Sequence, residues 1–129
     1  MKRAAVVTCF LLLSCNKPEQ PSAPPPPPPI GNAAAGKQHI DKYSCLACHA
    51  IPGIEGDGGS LGPDLAGFAS RPAINGRIPN KPETVVAYLQ NPSAIDPQTT
   101  MPPLGITESE AKDITAYLMT LKAQAQAGK

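Results

Sequence analysis

Apolar positions recur with a helical period near the C-terminal end of the chain. Ala111, Ile114, Tyr117, Leu118 and Leu121 stand at offsets of 0, 3, 6, 7 and 10, which is one face of a helix. Thr107 and Glu110 ahead of them have the spacing of a capping box, in which each side chain satisfies an amide of the other's backbone. A second helical stretch is KPETVVAYLQ, residues 81–90. Pro82 suits its first position, Glu83 suits its dipole, and Asn91-Pro92 ends it, because proline disfavours helical backbone in the residue before it. A third helix has Asn32 as its N-cap candidate and should run from about Ala33 into the Cys45 region, with no proline until Pro52. Between them, IPGIEGDGGSLGPDLAGFASRPAINGRIPN (51–80) holds seven glycines and four prolines and reads as loop with at most short turns. So long a loop in a compact domain is usually functional or wrapped around something. No segment alternates convincingly as a strand. The predicted class is all-α, with three to four short helices joined by long loops.

The N-terminal pattern differs. Lys2 and Arg3 precede an apolar run, Ala4 to Leu13. A spanning helix needs about 20 residues, so this run fits the core of a signal peptide instead. It ends in LLSC, residues 12–15, which resembles the bacterial lipobox, whose cysteine is lipidated on its thiol and becomes the first residue after cleavage. Cys15 is thus the candidate lipidation site; an ordinary secretory signal or an uncleaved short anchor are the alternatives. NKPEQPSAPPPPPPI (16–30) follows, with Pro24 to Pro29 unbroken. It favours polyproline II and at ~3.1 Å per residue would reach on the order of 45 Å as a stiff stalk. The expected organisation is a signal peptide at 1–14, lipidated Cys15 and linker at 15–31, a domain at 32–124 and a flexible tail at 125–129. That places the domain outside the cytoplasm, membrane-anchored and facing the periplasm or the cell exterior.

Composition adds one point. Seventeen prolines, five aromatic residues and no tryptophan are poor material for a self-sufficient apolar core, and a buried cofactor would supply the missing bulk. Setting aside Lys2 and Arg3 from the eleven basic residues leaves nine against ten acidic, with no basic stripe, so nothing asks for nucleic acid.

The candidate chemistry lies in CLACHAIPG, residues 45–53. Cys45 and Cys48 are i and i+3, so on a helical turn both thiols point roughly the same way, and His49 follows at once. C-x-x-C-H is the pattern of covalent haem c attachment: two thiols add to two vinyl groups while the imidazole reaches the iron. A zinc site would have to use adjacent Cys48 and His49 and find further ligands, with His39 the only other histidine. A thioredoxin-like redox pair would need a βαβ pattern, and a disulfide would leave His49 unexplained. For a sixth ligand, Met101 in the proline-braced loop TTMPPLG is the candidate. Met119 falls at helical spacing and reads as packing. His39, on the helix leading into Cys45, should stay on the proximal side and reads as solvated surface. GDGGSLG (56–62) lacks the strand before it and the Lys-Ser/Thr after it that a phosphate cradle needs, and reads as a flexible loop.

GKQHIDKYSCLACHAIPG, LGPDLAGFASR, INGRIPNKPE, MPPLG and EAKDITAYLMTL, in this order over about residues 33–122, together resemble the class I c-type cytochromes, in particular small bacterial monohaem domains of respiratory oxidase chains. The resemblance implies a cytochrome c fold wrapped around one covalent haem. It implies that the Pro63 carbonyl accepts the His49 proton and that Arg71 lies near a haem propionate. Arg77 and Asn80 are further candidates for that task, and Tyr88 falls where many relatives place a propionate-bonding tryptophan. Gly36 and Ile40 would cross the C-terminal helix near Tyr117 and Leu118. Histidine–methionine ligation leaves no open coordination place, so the expected role is a one-electron carrier rather than an enzyme. Its expected partners are a terminal oxidase or a membrane dehydrogenase or cytochrome complex. A haem-based ligand-binding or sensor domain with a labile sixth ligand is the alternative.

Overall fold

The computed structural model describes residues 30–123. The leader, Cys15, the proline run and the expected tail at 125–129 lie outside the described residues.

Helix α1 spans Ala33–Lys42, and the Asn32 side chain accepts the Ala34 and Ala35 amides as its cap. It stops before Cys45 rather than running into it. Tyr43 and Ser44 close the last turn onto the His39 and Asp41 carbonyls, Ser44 turns to φ 53°, and a separate 3-10 turn begins at Cys45. That left-handed residue re-aims the cysteine turn away from the helix axis. A helix α2 at Pro82–Gln90 has Pro82 in its first turn and buries Val85, Val86, Tyr88 and Leu89. Asn91 ends α2 and, with its side chain accepting the Ala94 amide, also caps a four-residue helix α3, Pro92–Ile95, which periodicity did not reveal. Helix α4, Glu108–Leu118, carries the expected capping box between Thr107 and Glu110.

The glycine-rich segment is loop as expected, apart from a 3-10 turn at Phe68–Ser70 and a minimal hairpin. Its strands are β1, Ala73–Ile74, and β2, Ile78–Pro79, antiparallel with Ile74 opposite Ile78. The loop between them is Asn75-Gly76-Arg77, with Asn75 and Gly76 at positive φ and the Arg77 amide donating to Ile74 O. A turn of the I′ type needs positive φ at both central positions, which Asn-Gly adopts readily.

Helices α1 and α4 pack across each other at Gly36. A Cβ there would stand 2.5 Å from the Asp113 carbonyl carbon and 3.0 Å from the Ile114 amide nitrogen, so only glycine permits the approach. The crossing is therefore at Asp113–Ile114, one turn ahead of the Tyr117–Leu118 contact that the resemblance implied. Ile40 and Ile114, 1% and 2% exposed, fill the space beside it, each burial contributing on the order of 1.5–3 kcal/mol. His39 is not a solvated surface group. It is half-buried against α4, 3.5 Å from Asp113 and 3.9 Å from Glu110.

Glu110 ties the end of α1 to the start of α4. Its carboxylate accepts from Lys42 Nζ at 2.5 Å, Tyr43 Oη at 2.7 Å and Thr107 Oγ1 at 2.6 Å. The Lys42 ammonium first, then the two hydroxyl donors, hold its carboxyl far below the ordinary value of 4.5. Folding thus favours the ionised form, and the stabilisation is present in full above about pH 5 and lost as acid titrates the folded carboxylate. Glu110→Gln should lower the denaturation midpoint at pH 7, and its difference from wild type should shrink steadily as the pH is lowered beneath 4. A pH-independent difference would refute this role.

Candidate cofactor site

The 3-10 turn Cys45–Ala47 is held by the Ala47 amide on Ser44 O, and Cys48 and His49 both donate to Cys45 O. The tight turn sets the two free thiols on the wall of one cavity. Burial pushes the Cys45 thiol up from its ordinary pKa. GDGGSLG is not free: the Gly59 amide bonds Leu46 O and the Gly62 amide bonds Cys48 O, each at 2.8 Å, lacing the loop to the cysteine turn. Tyr117 Oη donates to Pro52 O at 2.7 Å and anchors the segment after His49 to α4.

His49 Nδ1 lies 2.8 Å from the Pro63 carbonyl oxygen. A carbonyl only accepts, so Nδ1 carries the ring proton and Nε2 keeps the lone pair. The ring also lies flat against the chain at Gly62, where a Cβ would fall 2.6 Å from Nδ1. Glycine here makes room for an imidazole held from two sides.

The cavity measures about 950 Å³, at the upper end of the range for cofactor pockets. Beyond the cysteine turn, its wall includes Ile40, Phe68, Val85 and Leu118 from the apolar core, the half-buried Leu65 beside it and Met101 from the segment before α4. Met119, by contrast, caps α4, packs against the core and is not part of the wall. The residues fit a haem. An apolar chamber of this size holds two free thiols and an imidazole with a defined lone pair on its wall, and a thioether joins the same wall.

The candidate propionate residues divide. Arg71 lines the cavity while its Nη2 donates to Asp64 O and Ala66 O, bracing the loop behind Pro63. Arg77 also lines it, but its Nη2 is engaged by both Asp96 oxygens at 2.8 and 2.9 Å. Asn80 is off the cavity wall. Its amide nitrogen donates to Phe68 O and Arg71 O, and its buried Oδ1, having no partner, is an acceptor that a carboxylate does not satisfy. Asn80 thus braces the loop, with its amide donors engaged there. Tyr88 reaches the cavity, but its hydroxyl pairs with Thr99 Oγ1 at 2.5 Å and accepts from Asn75 Nδ2 at 3.2 Å. Its polar end serves the Met101 segment, where Thr99 Oγ1 also accepts the Met101 amide at 3.2 Å.

Sequence reasoning missed Asn75, Asp96 and Thr99. Asn75 had a readable signal, since Asn-Gly between Ile74 and Ile78 marks a hairpin turn. Asp96 and Thr99 had none, because their partners come from elements distant in sequence.

The cytochrome c family pattern matches residues 33–122. The chain belongs to the cytochrome c family. Cytochromes c are haem-based electron carriers rather than enzymes, and bind haem c covalently. This cytochrome is similar to cytochrome c oxidase subunit 2 of Alkalihalophilus pseudofirmus, 31% identical over 70% of this chain and 26% of that protein. It is likewise similar to the cytochrome c-type cyt cy of Rhodobacter capsulatus, 33% identical over 70% of this chain and 50% of the relative. The chain thus spans between a quarter and a half of the length of these relatives. Among solved structures, cytochrome c2 of Rhodobacter sphaeroides superposes with a TM-score of 0.59 at 22% identity, covering 73% of this chain and 98% of that one. Cytochrome c2 of Paracoccus denitrificans gives 0.56 at 21% identity, covering 71% and 97%. The likeness to both shows the cytochrome c fold.

Proposed function

We propose that this cytochrome c is a one-electron carrier whose single haem c is attached through Cys45 and Cys48 and ligated by His49 Nε2 and Met101. The observation that carries the reading is the convergence of the cysteine–histidine turn and Met101 on one apolar cavity. When bound, haem c supplies a ferric–ferrous couple, which histidine–methionine ligation biases towards the reduced state. The chain's residues hold that ligand set rigid. Pro63 fixes the His49 tautomer and ring, raising the donor strength of Nε2, and Thr99 holds the Met101 backbone. Arg71 remains the cation available to a propionate. With His49 and Met101 both holding the iron, small ligands would be excluded and reorganisation between oxidation states would be limited.

We infer respiratory redox partners, a terminal oxidase or a membrane dehydrogenase or cytochrome complex, from the likeness to an oxidase subunit and to a c-type cytochrome. The lipobox-like LLSC supports an exported lipoprotein tethered through Cys15, with the proline stalk letting the domain reach its partner. A tether replaces steering by charge with effective concentration, in keeping with the near-neutral composition. Potentiometric titration of the exported holoprotein should give one reversible wave with a one-electron slope, and carbon monoxide should leave the reduced spectrum unchanged. Rapid carbon monoxide binding would favour the ligand-binding reading. For the anchor, Cys15→Ser should abolish lipid labelling and the accompanying signal-peptide cleavage; normal lipid incorporation in that variant would remove Cys15 from the proposal.

A further inference from the structure

Asp96 is the one buried acidic residue in the described core, 3% exposed, and sits between the hairpin turn and the segment leading to Met101. All its polar groups have partners. Oδ1 accepts from Arg77 Nη2 at 2.9 Å and from the Gln98 amide at 3.1 Å; Oδ2 accepts from Arg77 Nη2 at 2.8 Å and Asn75 Nδ2 at 2.9 Å. Its carbonyl accepts the Thr99 amide at 3.0 Å, and its own amide donates to Pro92 O at 2.8 Å. One residue thereby joins three pieces of chain: the hairpin turn through Asn75 and Arg77, helix α3, which it caps, through the Pro92 carbonyl, and the first residues of the Met101 segment through Gln98 and Thr99.

The turn geometry aims these donors. Asn75 at φ 50° and Gly76 at φ 70° reverse the chain so that Asn75 and Arg77, two positions apart, both reach the same carboxylate. Burying a carboxylate is costly unless it is paired and fully hydrogen-bonded, and here it is both. Removing Arg77 leaves the buried Asp96 carboxylate short of donors, and removing the carboxylate frees Arg77 and the Gln98 amide together, so either change opens the same set of contacts. Past Thr99 the segment has fewer ties: Thr99 Oγ1 holds the Met101 amide, and Pro102 and Pro103 have no amide to contribute.

We propose that Asp96 and Arg77 form a clasp that positions the Met101 segment, so that the clasp, rather than Met101 alone, sets how long the thioether stays at the cofactor. Asp96 and Arg77 are positioning residues here, acting through the backbone of Gln98 and Thr99. The retention claim rests on Met101 being the sixth ligand; the claim that the segment is held does not.

The test uses the ferric holoprotein and saturating imidazole, following the rate at which the far-red methionine–iron band bleaches. That rate reports methionine release. Asp96→Asn and Arg77→Gln should each raise it at least tenfold, and the double variant should release methionine no faster than the faster single, because both changes break one clasp. Arg77→Lys, which keeps the charge but not the two-oxygen contact, should fall between. Glu110→Gln, at the α1–α4 contact and sharing no hydrogen-bond partner with the clasp, lowers overall stability and should leave the rate at the wild-type value. Wild-type rates in both singles, or equal acceleration in Glu110→Gln, would overturn the proposal. Should wild type lack the band, the sixth-ligand reading fails. Amide exchange then decides the clasp: faster exchange at Gln98 and Thr99 in Asp96→Asn, with Ala111 and Ile114 unchanged, supports it, and unchanged exchange at all four overturns it.

Discussion

Met101→Ala is expected to abolish the far-red band of the ferric protein, lower its potential and open the iron to exogenous ligands, with the haem still covalently bound. The thioether is a neutral, soft donor that favours ferrous iron, and among the described residues no other methionine lines the cavity, since Met119 packs at the end of α4. The fall in potential should be a sizeable part of the ~0.8 V range that axial ligands span. His39 is not positioned to substitute, because it packs at the α1–α4 contact against Asp113 and Glu110. Cyanide or imidazole should bind the variant within mixing time and wild type only slowly. Met119→Ala is the control and should keep the band. A wild-type protein without the band, or a Met101→Ala protein that retains it, would remove the main support for the electron-carrier reading and bring the ligand-binding one forward.

The paired change Cys45→Ala with Cys48→Ala should eliminate covalent haem altogether, whereas each single change should leave one thioether and a weakened attachment. Each thiol adds across one vinyl group, its sulfur bonding one carbon and its proton ending on the other, so the two bonds are separable. Both cysteines are free and lie on the cavity wall, on a turn set apart from α1 by the left-handed Ser44. Haem staining of the denatured protein on a gel reads the outcome directly. Staining that survives in the double variant would mean that attachment occurs elsewhere. The double variant should also lose stability, since a chamber of about 950 Å³ would lose its covalent filling in a domain with so few aromatic residues.

Much of this molecule was legible without its structure because its signals are local. The apolar spacing from Ala111 to Leu121, the Thr107–Glu110 box, Pro82 and Asn32 each act within a turn or two of chain, and the helices that they predict are present. C-x-x-C-H is equally local, since one cofactor edge must be reached by residues within a single turn. Proline and glycine content foretold the long loop, although not that its glycines are laced by hydrogen bonds to the cysteine turn. Contacts between distant segments decided the rest. Where α1 crosses α4 depends on backbone atoms of Asp113 and Ile114 meeting Gly36, and no pattern on either helix states that register. His39 reads as a surface residue until α4 brings two carboxylates to it. Arg77, Asn80 and Tyr88 have the chemistry to meet a propionate, but a polar side chain takes the partners that folding places nearest. For these three the partners are Asp96, the Phe68 and Arg71 carbonyls, and Thr99. The sequence by itself determined the three longer helices, the family resemblance and the attachment turn, because the forces behind them act between near neighbours. Tertiary structure alone decided which protein partners these polar groups take, because a buried donor or acceptor must be satisfied by whatever lies within hydrogen-bond reach, however far away in the chain.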